Sequence, residues 1–149
     1  MTAIAPNSPS YWAKGLGYGG LIPFAGLAAA VWLLAPADSA RSAHALLGYG
    51  ATILSFLGAI HWGLAMRDAA AQTRGLLLWG VMPSLIAWVA LLTNPVAGLY
   101  LVTAGLWACF AVDRAAYPRS GVQAWLPMRL VLTVVASLSC VAGAVGAMR

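Results

Sequence analysis

Five apolar stretches, at residues 16–35, 43–66, 75–92, 95–112 and 125–147, occupy most of this 149-residue chain. Each holds about 18 residues or more, and at about 1.5 Å rise per residue a helix of that length crosses a hydrocarbon layer of about 30 Å. Of the 11 charged side chains (8 Lys and Arg, 3 Asp), only Arg129 falls within a stretch, close to its start. The runs are continuous rather than alternating, which selects helices over barrel strands. Lipid offers the backbone no hydrogen-bond partners, so each segment must satisfy its own. The expected fold is therefore all-α: a polytopic bundle of five transmembrane helices in residues 16–149, preceded by an N-terminal tail at residues 1–15.

Composition closes the alternatives. Hydrophobic residues make up 62% of the chain and charged residues 7%, against about 25% charged in ordinary soluble domains. So few charges cannot cover a water-facing surface. The net charge of +5 does not indicate nucleic acid, because the basic residues form no stripe and sit between the apolar runs. They read as topology determinants. With the N-terminus inside, Lys14, Arg67, Arg74, Arg114, Arg119 and Arg129 are cytoplasmic, and only Arg41 and Arg149 face out. The positive-inside bias thus predicts N-terminus in and C-terminus out. Tyr18, Trp62, Trp79, Trp107 and Trp125 then fall towards one interface, and Trp32, Tyr49, Trp88 and Tyr100 towards the other. The run after Leu16 is longer than a cleavable signal segment, so an uncleaved first helix is expected.

Some helix–helix features are legible. Thr93 and Asn94 alone separate the third and fourth runs before Pro95, which predicts a tight antiparallel hairpin. Gly26 with Ala30, Ala59 with Gly63, Ala104 with Ala108 and Ser139 with Gly143 have the spacing of close helix contacts, first within the bundle and second between copies. Pro23 and Pro83 interrupt the first and third runs. Pro83 frees the carbonyl of Trp79 and should bend its helix, with Ser84 placed to satisfy freed backbone groups.

Three ionisable groups share one depth. His61 lies a turn or two inside the second run, Asp113 closes the fourth, and Arg129 enters the fifth, all at the same membrane face. Asp113 and Arg129 have the chemistry of a bidentate ion pair. His61 has that of a proton relay, or of a donor to a quinone carbonyl or lipid headgroup. The plainer reading of the same residues is an ion pair and an interfacial anchor near helix ends. No catalytic group is assigned. His44 and His61 sit on one helix about 25 Å apart, which excludes a shared haem iron. No zinc ligand set converges, and no phosphate-binding glycine loop occurs. No cofactor is evident from the sequence, and no metal site is expected.

The stretch Gly48-Tyr-Gly-Ala-Thr-Ile-Leu-Ser-Phe-Leu-Gly-Ala-Ile-His-Trp-Gly63, with His61-Trp62-Gly63 its most specific part, resembles the uncharacterised bacterial and mitochondrial membrane-protein family typified by transmembrane protein 69. Pro83 with Ser84, Asp113, and Met128-Arg-Leu-Val-Leu-Thr133 extend the resemblance from about Gly17 onward. One departure is the single Trp125 after Ala124, where the family commonly carries two aromatics before the arginine. The resemblance implies a helical domain in a bacterial inner membrane or its mitochondrial counterpart, and it implies no reaction. The candidate functional cluster is thus His61, Asp113 and Arg129, supported by Trp62, Gly63, Pro83 and Ser84.

The expected role is a non-enzymatic accessory, assembly or stabilising factor for a larger membrane complex. The alternative is a small carrier or channel for a proton, lipid or quinone-like ligand. Partners expected are the lipid bilayer, other membrane subunits or further copies of the chain, and no nucleic acid.

Overall fold

The structure, a computed structural model, describes residues 8–67 and 73–149. Its helices are α1 (Tyr11–Gly19), α2 (Leu21–Leu33), α3 (Pro36–Arg67), α4 (Arg74–Leu91), α5 (Pro95–Ala116) and α6 (Leu126–Gly146), the last preceded by a single 3₁₀ turn at Gln123–Trp125. Taken as α1 with α2, α3, α4, α5, and the 3₁₀ turn with α6, these make five segments long and apolar enough to cross a membrane. The fold is an all-α bundle, as the apolar runs predict.

Helix ends follow local chemistry. Ser10, Thr73 and Asn94 each cap a helix by accepting from the backbone N–H three residues on, which satisfies a donor the first turn leaves free. Pro36 and Pro95 each occupy the first helical position, where a missing N–H costs nothing. Thr93 and Asn94 form the expected tight joint between α4 and α5. The helix in the first span starts at Tyr11, five residues before the apolar run. Residues 1–7 of the expected tail lie outside the described residues.

Two local expectations change. The first span breaks at Gly20, between α1 and α2, and not at Pro23. Pro23 falls within the first turn of α2, where its lack of an N–H breaks no established ladder. The Tyr49 hydroxyl of α3 donates to the Gly20 carbonyl at 2.8 Å, pinning the joint. The second change concerns the small residues. No neighbour comes close to where a Cβ would stand at Gly26 or Gly63, and Ala59 and Ala104 face outwards. Of the four pairs, Ser139 with Gly143 is the one buried at both positions. Close approach is made instead where α3 meets α4, since a Cβ on Gly58 would stand 2.5 Å from the Gly80 carbonyl oxygen.

α3 is the central element, packed against α2, α4, α5 and α6. At about 48 Å its 32 residues exceed the apolar thickness. Leu46, Leu47 and Leu54 of α3 meet Leu99, Val102 and Leu106 of α5 and Cys140 and Ala144 of α6 in one core. Cys109 and Cys140 are both buried free thiols. At the end of the bundle carrying the α4–α5 joint, the Trp32 indole donates to the Ala142 carbonyl, and the Arg149 guanidinium lies 4.1 Å over the Trp32 ring. At the other end, Arg67 of α3 donates to the Ser120 carbonyl in the α5–α6 connection. That second end holds the polar cluster.

Candidate functional site

His61, Asp113 and Arg129 come together from three helices, α3, α5 and α6. Asp113 is 1% exposed, His61 2% and Arg129 7%. The Arg129 Nε donates to Asp113 Oδ2 at 2.9 Å, and one terminal guanidinium nitrogen lies 2.7 Å from the same oxygen. His61 Nε2 stands 3.1 Å from the other oxygen, Oδ1. The fork-to-fork pair expected from the sequence is therefore replaced by a shared carboxylate. One oxygen takes both guanidinium contacts and the other faces the imidazole.

The contacts are unequal. Only the Nε bond has good hydrogen-bond alignment; the His61 Nε2 and terminal guanidinium contacts are close but off-line, so neither counts as a directed bond. Distance governs charge attraction and direction governs hydrogen bonding, so both contacts are best described as electrostatic. His61 Nδ1 has no partner among the described residues. Helix dipoles do not account for the placement. Asp113 sits near the C-terminal end of α5 and Arg129 near the N-terminal end of α6, each at the end its charge disfavours. The two residues stabilise one another.

A fourth residue joins them. Tyr117, one position beyond α5, is 3% exposed, and its side chain interacts with those of Arg129 and Asp113. Its ring centroid is 6.5 Å from that of His61. Burial pushes the Tyr117 phenol up to about 12, with the Asp113 carboxylate adding to the rise. Ending the fourth span at residue 112 leaves Tyr117 in a loop. Running the helix on to Ala116 puts Tyr117 one turn after Asp113, on the same face.

The four supporting residues do not join the cluster. Trp62 lies across Gly80 and donates its indole N–H to the Leu77 carbonyl of α4 at 3.1 Å. Pro83 is buried against Gly58, at the α3–α4 seam. Gly63 and Ser84 face outwards. Trp62 and Pro83 thus shape the contact between α3 and α4.

Beside the cluster lies a cavity of about 600 Å³ walled by α1, α2, α3 and α6. Phe24, Leu57, Leu132 and Ala136 supply part of its apolar lining, and Tyr117, Arg129 and Thr133 its polar end. Leu16 and Phe56, also in the wall, are 76% and 63% exposed. Their exposure marks a mouth on the side of the bundle, between α1 and α3. His61 is not part of the wall. Nor is Asp113, so the cavity meets the cluster through Arg129 and Tyr117. Thr133, one turn after Arg129, enters the sequence reading only as the end of the Met128–Thr133 stretch; its hydroxyl is buried and has no partner among the described residues. The same holds for the Ser137 hydroxyl, a turn further on.

Among the described residues, no group of three or more His, Cys, Asp or Glu side chains is placed to hold a metal ion. The arrangement offers hydrogen-bond donors and a neutralised ion pair at the end of an oily chamber.

The profile of the family described as "Protein of unknown function (DUF3429)" matches residues 10–145, which takes in α1 to α5 and all of α6 but its last residue. The chain belongs to this family. It is also similar to "Transmembrane protein 69" of Xenopus tropicalis, with 37% identity over 131 residues. That match covers 85% of this chain and 51% of the frog protein, so the chain spans about half the length of its relative. No solved structure matches. The family resemblance read from His61-Trp62-Gly63 and the flanking motifs is thus correct, and the protein is a multi-spanning member of a membrane family of unknown function.

Proposed function

We propose that this protein is a bilayer-embedded binding protein, of the carrier type, for a small apolar molecule with a polar head. One observation carries the reading: an apolar cavity of about 600 Å³ is lined at its polar end by Arg129 and Thr133, each with a buried side-chain donor atom that has no hydrogen-bond partner among the described residues. Apolar chambers with a few convergent polar groups and volumes of about 300–1,000 Å³ are the usual form of small-molecule sites. The side mouth between α1 and α3 suits entry from the lipid phase. With the N-terminus in the cytoplasm, as the arginine and lysine bias predicts, the polar end lies in the inner leaflet of a bacterial inner membrane. The reaction is one of binding and release.

The test is to extract the protein in nanodiscs directly from its membrane and assay retained small molecules by mass spectrometry. A single species enriched to near stoichiometry is expected, and Ala13→Trp at the cavity wall should abolish it. Retention of bulk lipid alone, identical for both proteins, would overturn the reading.

The accessory or stabilising role expected from the chain's small size is a separate proposal. Native gels of gently solubilised membranes test it: co-migration with a larger complex supports it, and migration only as monomer or homodimer opposes it.

A further inference from the structure

We infer that the occupant of this cavity is uncharged and presents a carbonyl-type acceptor, of the quinone or acyl-ester class, and that Asp113 excludes anionic amphiphiles. The inference rests on the binding role proposed above and concerns its selectivity.

The first argument is the sign of the hydrogen bonding. A guanidinium has only donors, and the polar end is made of Arg129 with two hydroxyls, Tyr117 and Thr133. Thr133 is the informative one. Three other helix hydroxyls turn back to their own helix: Ser42 donates to the Asp38 carbonyl, Thr103 to that of Leu99 and Ser139 to that of Val135; Ser137 is unpaired like Thr133 but does not line the cavity. Such back-bonding is the ordinary way a buried Ser or Thr is satisfied in lipid. Thr133, 1% exposed, does not make that bond and has no partner among the described residues. A buried hydroxyl left unpaired is costly. An acceptor brought by an occupant would remove that cost.

The second argument is charge. Arg129 alone would draw carboxylates and phosphates. Asp113 lies within 2.7 Å of its guanidinium, so the pair sums to zero. An anion bonded to Arg129 would place a second negative charge beside a carboxylate that is 1% exposed, in a medium that screens poorly. A neutral carbonyl meets the same donors without that repulsion.

The experiment compares three probes of matched chain length: methyl laurate, laurate and dodecane. Each is equilibrated with the protein in nanodiscs, and retention above empty discs is measured by mass spectrometry. Methyl laurate should be retained about tenfold better than the other two, the effect of roughly one hydrogen bond. Thr133→Val keeps the volume and removes the hydroxyl; it should lower methyl laurate retention several-fold and leave dodecane unchanged. Asp113→Asn frees the Arg129 charge and should reverse the preference in favour of laurate. Laurate bound as well as the ester by the unaltered protein would overturn the inference, as would equal retention of all three probes, which would leave the cavity a site without head-group selection. If no probe is retained above empty discs, the binding role itself fails. Thr133→Val keeps the outcome decisive if Asp113→Asn does not fold.

Discussion

Replacing Asp113 by alanine removes a carboxylate that touches two buried nitrogen groups, Arg129 at 2.7 and 2.9 Å and His61 at 3.1 Å. The guanidinium left behind is 7% exposed, too enclosed to reach water without moving α6. Stranding one partner of a buried ion pair costs about 3–5 kcal/mol. At 1.4 kcal/mol per factor of ten, the folding equilibrium constant should fall by about two to three and a half orders of magnitude. Reversible unfolding in mixed micelles, followed against the mole fraction of denaturing detergent, measures this directly. The physical cause is charge rather than lost packing, so the double variant Asp113→Ala with Arg129→Met should recover to within about 1–2 kcal/mol of the unaltered protein. A single variant costing under about 1 kcal/mol, or a double variant as unstable as the single, would refute the reasoning.

Three further outcomes follow from other parts of the molecule. Gly58→Ala puts a methyl group 2.5 Å from the Gly80 carbonyl oxygen and 3.1 Å from Pro83; neither can yield cheaply, so unfolding measurements should show a loss of about 1–3 kcal/mol. Tyr117, raised to about 12 in the fold by burial and then by Asp113, starts from about 10 when unfolded. Its contribution to stability is whole below that lower value and is lost as pH rises through the upper one, so Tyr117→Phe should flatten the alkaline limb of the stability profile. For orientation, a cysteine replacing Asn94 should react with an impermeant maleimide from outside the cell, and one replacing Gly121 should not. The reverse pattern would reject the positive-inside assignment.

How much of the site could be read in advance depended on which coordinate was needed. Depth was legible: His61, Asp113 and Arg129 were placed at one level because position along a helix converts directly to distance through the membrane. Azimuth was not. Ser84 and Thr133 are both hydroxyl residues inside apolar runs, yet Ser84 faces outwards and Thr133 is 1% exposed. Trp62 follows His61 in sequence and belongs to another seam altogether, pinned to Leu77. In water a polar stripe would reveal the outer face of each helix. In lipid both faces are apolar, and that signal fades.

By itself, the amino-acid sequence determined the medium, the number of crossings, the joint at Thr93 and Asn94, and the family. These depend on run length, charge placement and local motifs, which are properties of contiguous residues. Only the tertiary structure decided that Asp113 is shared between Arg129 and His61, that His61 is buried outside the cavity wall, and that Tyr117 and Thr133 complete the polar end of the cavity. Each of those facts depends on how helices far apart in the chain are rotated about their own axes. That rotation is set by which side chains fit against Leu46, Leu54 and Gly58 of α3, and shape complementarity of this kind leaves no periodic mark in an almost uniformly apolar sequence.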